Sequence, residues 1–341
     1  MEWPRLAAWL IAALLVLAAV AALTGLVLRW LERRAVLDHP GPRSSHKLPT
    51  PRGGGIAVLA VLLPAWAALA LLEGGAAAGR TWPVLAAALL LAAVSWVDDL
   101  RPLSAAWRLP VHVLAVAIGS IAAGEDMVFQ GLLPGWLDLL AAGLIWLWFL
   151  NLFNFMDGID GISGTEAMSV GAGLALVLLV APGTGGDALP LAGFGLTLAA
   201  AAAGFLWWNR PPARLFLGDV GSIPLGFLIG WLLLEAARGG AWAAALILPA
   251  FYLVDASWTL AVRLARGISP LEPHAEHVYQ RAVREKGRSH GQVVAALAVA
   301  NLALIALALG AEREGERLAA LAGAAAVVAL LIRRLLREPA R

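Results

Sequence analysis

Ala141-Ala-Gly-Leu-Ile-Trp-Leu-Trp-Phe-Leu-Asn151-Leu-Phe-Asn154-Phe-Met-Asp157-Gly158-Ile-Asp160-Gly161-Ile-Ser-Gly164 is the stretch on which the reading of this chain turns. It starts inside one apolar run, 136–153, and leads into another, 163–181. A helix needs about 20 mainly apolar residues to cross a bilayer, so both runs read as spans. Between them an oxygen-bearing side chain recurs at every third residue: Asn151, Asn154, Asp157, Asp160. Three helical residues turn by about 300°, so neighbouring members share a face while the full ladder wraps partly round. Glycines at 158, 161 and 164 predict that the helix unwinds here. Broken helices at membrane depth are tolerated where they line a cavity. Asn and Asp oxygens suit a hard cation such as Mg²⁺.

The rest of the chain supplies the frame. Of its 341 residues 61% are hydrophobic and only 14% charged, against about a quarter charged in soluble chains. A soluble two-domain enzyme is excluded. Eleven apolar stretches approach span length: 6–28, 56–72, 81–97, 109–123, 136–153, 163–181, 188–207, 220–236, 241–262, 291–310 and 317–332. The first is too long for a signal peptide's apolar core and is read as a retained helix. Sorting Lys and Arg between alternate connections puts 20 on one side and 5 on the other. The positive-inside rule places the 20 in the cytoplasm, with the N-terminus outside and the C-terminus inside. The expected fold is all-α and polytopic, with about 11 transmembrane helices in the inner membrane. It forms one integral membrane domain over 1–341, with a motif-bearing core at 38–290 and C-terminal helices at 291–336. There is no cysteine, which excludes disulfides, thiolate metal sites and cysteine nucleophiles. The net charge of +2 gives no argument for nucleic acid.

Every other motif falls on the basic side. The first such loop reads Asp38-His-Pro-Gly-Pro-Arg43-Ser-Ser-His46-Lys47-Leu-Pro-Thr50-Pro-Arg52-Gly53-Gly54-Gly55. Its prolines keep it non-helical, its basic residues supply donors, and its three glycines would let backbone N–H groups cradle an anion. Asp38 stands outside the motif and is read as a bystander. Asp98 and Asp99 end the third span, where adjacent acids repel each other and oppose the helix dipole, so a cation or a proton-transfer role would compensate. Asn209-Arg-Pro-Pro-Ala-Arg214-Leu-Phe216-Leu-Gly218-Asp219-Val-Gly221-Ser222 places a lone carboxylate between two glycines at a helix start. Phe216 could stack a base. His274 and His277, spaced i,i+3 on one predicted helix face, lack a third zinc ligand and are read as contacts to phosphate or sugar. Asp255, inside the ninth span, is given no role. Five carboxylates among basic groups at one membrane edge suit metal-bridged phosphoryl chemistry on two anionic substrates. No Walker motif points to ATP hydrolysis.

These ordered motifs resemble the polyprenyl-phosphate N-acetylhexosamine-1-phosphate transferases, over nearly the whole chain from His46 to Arg281. Arg43-Ser-Ser-His46 with Pro49-Thr-Pro-Arg52-Gly-Gly looks most like the branch that starts O-antigen or related surface glycans. The peptidoglycan branch instead carries a run of three histidines where this chain has His274-x-x-His277, which argues against a muramyl-pentapeptide substrate. The resemblance implies that a polyprenyl-phosphate oxygen attacks the sugar-bearing β-phosphorus of a UDP-N-acetylhexosamine, releasing UMP. It implies Mg²⁺, with Mn²⁺ as the alternative, held by Asp219 and Asn154. Asp98, Asp99 and Asp157 would serve catalysis or metal organisation. Asp160, Asn209 and Phe216 would bind uridine, while His46, Lys47, Arg52, His274, His277 and Arg281 would contact phosphate or sugar. A homodimer is one assembly compatible with the chain. Two other classes stay open: a Mg²⁺-dependent membrane prenyltransferase, whose Asp-rich motif the 154–160 ladder superficially matches, and an ion-coupled transporter. A transporter would carry its acids near the bilayer midplane and is favoured by duplicated halves, and no convincing internal repeat is visible.

Overall fold

A computed structural model describes residues 3–41, 44–46, 48–122, 127–180, 188–269, 272, 274–313 and 315–338. Arg43, Lys47 and the outer-loop acids Glu125, Asp126 and Asp187 lie outside the described residues. Every one of the eleven apolar stretches falls on helix. In chain order the helices are α1 (Trp3–Arg33), α2 (Gly55–Glu73), α3 (Gly75–Leu100), α4 (Ala105–Ala122), α5 (Gly135–Phe155), α6 (Ile162–Val180) and α7 (Ala188–Asn209). There follow α8 (Asp219–Arg238), α9 (Trp242–Ile247), α10 (Ala250–Ala265), α11 (Val278–Arg284), α12 (His290–Ala311) and α13 (Arg317–Leu336).

Among the described residues nine helices, namely α1, α2, α3, α5, α6, α7, α8, α12 and α13, are long and apolar enough to cross a membrane. The chain is an all-α polytopic membrane protein. Two of the eleven stretches fall short of a full span. The α4 helix is a shorter apolar helix, and the stretch 241–262 is broken between α9 and α10 at Leu248 and Pro249. Proline lacks the N–H that would continue the ladder and clashes with the preceding turn.

The α8 helix is the hub. Its apolar window is 100% buried, against 28% for α1 and for α13. A helix apolar on all sides belongs inside a bundle. Backbone contact with α2 is very close: a Cβ built on Gly55 would lie 2.1 Å from Cα of Gly221. Only a pair of glycines permits this approach. At its far end α8 holds Glu235, which pairs with Arg80 at 3.2 Å and with Arg238 one turn on.

Short extended segments stitch the first loop to the entrance of α8. The strands β1 (Leu37–Asp38) and β2 (Thr50–Pro51) pair antiparallel, with Leu37 opposite Pro51 and Asp38 opposite Thr50. Next to them Arg52 forms a parallel bridge with Phe216. The three glycines of this loop do not form the anion cradle that their sequence suggests. The N–H groups of Gly53 and Gly54 both donate to the Phe216 carbonyl, and that of Gly55 donates to Leu217. Their small size serves backbone pairing and the packing of Gly55 on Gly221.

Candidate active site

The ladder segment unwinds as its glycines predict: α5 stops at Phe155 and α6 begins at Ile162. Residues 156–161 therefore form an irregular rim between two spans. Connectivity brings the ends of α3, α5 and α7 to the same side as the starts of α8 and α12. The first loop closes over them, and together they enclose a cavity of about 280 Å³. Asn154, Asp157, Asp160, Arg52, Phe216 and Asp219 all line it, joined by His46 and Asn209.

Asp219 is the first residue of α8, and its carboxylate is the junction of two arginine bridges. Arg52 reaches Asp219 Oδ1 through Nη2 at 2.9 Å and Asp99 Oδ1 through Nε at 2.7 Å. Arg108 reaches Asp98 Oδ2 at 2.9 Å and Asp219 Oδ2 at 3.4 Å through the same Nη1. Asp99 is fully buried and also accepts the N–H groups of Asp219 and Val220, each at 2.9 Å. The carboxylate of α3 thus caps the open start of α8, where free N–H groups favour negative charge. Gly218, at φ +75, leaves room for it: a Cβ there would lie 2.6 Å from Asp99 Oδ2. Asp98 accepts the Leu103 N–H besides its Arg108 bridge. The adjacent acids at the end of α3 are therefore compensated by two guanidinium groups and a helix terminus. Neither of them lines the cavity.

Asp157 and Asp160 occupy contrasting settings. Burial pushes the Asp157 carboxyl up to about 7; nearby Asp219 adds to this and Ser163 opposes it. Burial also works against ionisation of Asp160, but His290 and the Ala213 N–H hold it below the usual carboxylate range. The Ala213 amide donates to Asp160 Oδ2 at 3.0 Å, and His290 Nδ1 lies 3.1 Å from the same oxygen. Asn209 is buried, with its amide engaged at both ends: Oδ1 accepts from Gly161 and Nδ2 donates to Leu215 O, each at 2.9 Å. It ties the ladder to the Phe216 segment. The Phe216 ring meets the His46 ring edge-on, at 4.9 Å between centroids. Buried His46 Nε2 has no hydrogen-bond partner among the described residues and stands 4.0 Å from Asp38 Oδ2. Asp38, read from sequence as a bystander, lines the cavity.

Besides Asp98 and Asp99, which stand behind the cavity, three predicted site residues do not line it. The helix containing His277 on its face does not form, because α11 begins only at Val278. His277 precedes it, buried, with its ring stacked on Tyr279. Asp255 explains this start by accepting the N–H groups of Val278 and Tyr279 at 2.8 and 3.3 Å. His274 lies beside His277, at 4.8 Å between rings, and burial with the neighbouring His277 and Arg263 pushes it down to about 4. Arg281 pairs with Glu285 and lines a separate crevice. In their stead the cavity takes Gln280 and His290. Neither these two nor Arg108 was singled out by sequence. Arg108 had one visible signal, a cation at the very edge of the apolar stretch that follows Asp98 and Asp99.

The donor set fits a hard dication. Asp219, Asp157 and Asn154 all present oxygen to one cavity. Among the described residues no three His, Asp or Glu side chains form a ready-made metal cluster. Two carboxylates and an amide oxygen are donors of the kind Mg²⁺ takes, its shell being completed by water and substrate phosphate.

Comparison with known proteins agrees with this geometry. The pattern that defines glycosyl transferase family 4 matches residues 81–237. A phospho-N-acetylmuramoyl-pentapeptide-transferase of Mycobacterium avium (strain 104) is 32% identical over 267 residues, covering 64% of this chain and 74% of its own. Its counterpart in Mycolicibacterium gilvum (strain PYR-GCK) is 30% identical over 268 residues, covering 65% and 75%. That of Mycobacterium tuberculosis (strain ATCC 25177 / H37Ra) is 35% identical over 236 residues, covering 56% and 65%. With the family match running from α3 to α8 and the first two of these relatives covered over about three quarters of their length, the chain belongs to glycosyl transferase family 4, the polyprenyl-phosphate hexosamine-1-phosphate transferases, and is a membrane-embedded glycosyl-1-phosphate transferase.

Proposed function

We propose that this enzyme transfers an N-acetylhexosamine-1-phosphate from a UDP-sugar to polyprenyl phosphate at the cytoplasmic face, releasing UMP and starting a lipid-linked surface glycan. The observation that carries the proposal is the shared cavity in which Asp219, Asp157 and Asn154 face Arg52. Both anionic substrates need such a mixture of cations and oxygen donors. A bound Mg²⁺, or Mn²⁺, would neutralise the diphosphate and polarise the phosphorus under attack, and Asp219 with Asn154 would hold it. Arg52, His46 and Lys47 meet phosphate oxygens, and Phe216 with Asp160 and Asn209 frame the uridine. Asp157, with its raised proton affinity, is the group placed to take a proton from the attacking lipid phosphate. Asp98 and Asp99 act from behind by fixing Arg108, Arg52 and the start of α8. One phosphoanhydride replaces another, so no energy input is required. A second, almost wholly apolar cavity of about 420 Å³, lined by Ile145, Phe149, Leu233, Leu246 and Leu253 among others, offers room for part of an isoprenoid tail.

The similarity to phospho-N-acetylmuramoyl-pentapeptide-transferases favours a second reading, in which the transferred group is a phosphomuramoyl peptide. Against it stands the lone His274/His277 pair, which the fold turns away from the cavity. Purified protein, undecaprenyl phosphate and Mg²⁺ incubated with a panel of UDP-sugars that includes UDP-N-acetylmuramoyl-pentapeptide decide between them. UMP release from simple UDP-N-acetylhexosamines is expected. Release from the muramoyl-pentapeptide donor alone would replace the first reading by the second.

A further inference from the structure

His290 opens α12 and is held between two distant segments. Its Nε2 lies 3.2 Å from the Ser45 carbonyl oxygen in the first loop. On the other side of the ring, Nδ1 lies 3.1 Å from Asp160 Oδ2 and 3.3 Å from the Asp160 amide nitrogen. A carbonyl can only accept, so Nε2 carries a proton. Nδ1 then accepts from the Asp160 amide when the ring is neutral and donates to the Asp160 carboxylate when it is charged. Both forms make a bond on each side, so the contact does not depend on the state of the ring. The imidazole is mostly covered, with 13% of its side chain exposed, and it lines the cavity between Asp160 and Ser45. The contact spans 245 residues of chain to Ser45 and 130 to Asp160.

The first loop otherwise needs this support. Four prolines limit its regular structure to the β1–β2 ladder within the loop itself. Its backbone pairing with the body of the protein is clustered at its C-terminal end, around Pro51–Gly55 and Phe216–Leu217, while near its middle the described ties are the His46–Phe216 ring contact, a long bond from Arg284 to the Ser44 carbonyl and the His290 contact. The loop also carries His46, whose buried Nε2 has no hydrogen-bond partner among the described residues. The geometry points to His290 as a positioning residue for the nucleotide-sugar half of the reaction: it clasps the first loop to the Asp160 segment and so sets the wall that the donor substrate meets. The inference rests on the proposed reading of the cavity as the UDP-sugar site. The lipid phosphate and the groups that activate it are not touched by the clasp.

Two measurements test it. In Mg²⁺-dependent UMP release, His290→Ala is expected to raise KM for the UDP-sugar about tenfold, the usual scale for loss of a charge-assisted hydrogen bond. The KM for undecaprenyl phosphate and kcat should stay within about twofold. His290→Gln, whose amide can donate to one of the two oxygens, should recover part of the loss. A fall in kcat with both KM values unchanged, or no change at all, would sink the idea. The second measurement needs no substrate. Ser45 has a buried hydroxyl and the chain lacks cysteine, so Ser45→Cys gives one slow-labelling thiol whose rate reports loop opening. Combining it with His290→Ala should speed thiol labelling severalfold, and equal rates would refute the clasp. If no UDP-sugar releases UMP yet labelling accelerates, the proposed function fails while the clasp stands.

Discussion

Asp219 accepts from two guanidinium groups, and each of those has a second acid of its own. Arg52 keeps Asp99 and Arg108 keeps Asp98 if Asp219 loses its charge. Asp219→Asn should therefore leave the thermal unfolding transition near that of the parent protein. The same change removes the charge that attracts a dication and leaves the phosphates less screened. UMP release is expected to fall about 10²–10³-fold, the scale of one lost electrostatic contact to a transition state; near-normal turnover by the folded variant would remove the metal role from Asp219. Asp157 supplies a different test. Its carboxyl sits at about 7 in the protein without metal, and a proton there competes with a cation in the same cavity. The ionised form, which prevails above that value, attracts Mg²⁺; the neutral form, which prevails below it, does not. The half-saturating Mg²⁺ concentration should be flat above about pH 7 and rise as pH falls, approaching tenfold per unit if one proton is exchanged. Asp157→Asn should make that rise shallower, leaving only the part owed to Asp219. A Mg²⁺ requirement independent of pH in the parent would disconnect Asp157 from the cation.

At the level of helices, close approach between α2 and α8 is the most constrained contact near the site. A Cβ on Gly221 would lie 2.5 Å from the Leu217 side chain and 2.7 Å from Gly55 Cα. Gly221→Ala should destabilise the protein by about 1–3 kcal/mol through overpacking, seen as a lower unfolding temperature in detergent. Activity should fall with it, because α8 cannot shift without moving Asp219. Gly79→Ala, with nothing within 4 Å of the added methyl, is the matched control. The start of α8 was legible in the sequence because its signals are local: glycine, acid and glycine just before an apolar run. The unwound rim at 156–161 was legible for the same reason. The start of α11 was not. His274 and His277 have helical spacing, but the helix starts after them because Asp255 on α10 supplies its first hydrogen-bond acceptor. Asp138 does the same for the turn at Val128 and Phe129. Asp99 was read as reactive, Asp255 was given no role and Asp138 drew no reading, yet each satisfies two successive N–H groups of another segment. Such pairings join residues far apart in sequence, which no spacing rule reveals. Arg108 and His290 escaped notice on the same ground, and so did the inward face of Asp38.

For the molecule as a whole, the sorting of 20 basic residues against 5 fixes a testable orientation. Single cysteines at Ser104 and Ser289, both exposed, should react with an impermeant thiol reagent only after cells are opened. Cysteines at Gly75 and at Gly185, the latter outside the described residues, should react in intact cells. Labelling of position 104 from outside would invert the topology. The burial of α8 reaches further than packing. The helix that bears Asp219 is buried throughout its apolar window, while α1 and α13 leave most of theirs uncovered by protein and are the helices a surrounding bilayer would meet. When hydrocarbon thickness and span length disagree, the cost falls on the lipid-facing helices, which tilt or draw their flanking residues toward the interface. Turnover measured in bilayers of successively longer acyl chains should therefore change little until the peripheral helices can tilt no further. On that expectation Asp219 sits on a strut insulated from the thickness of the membrane.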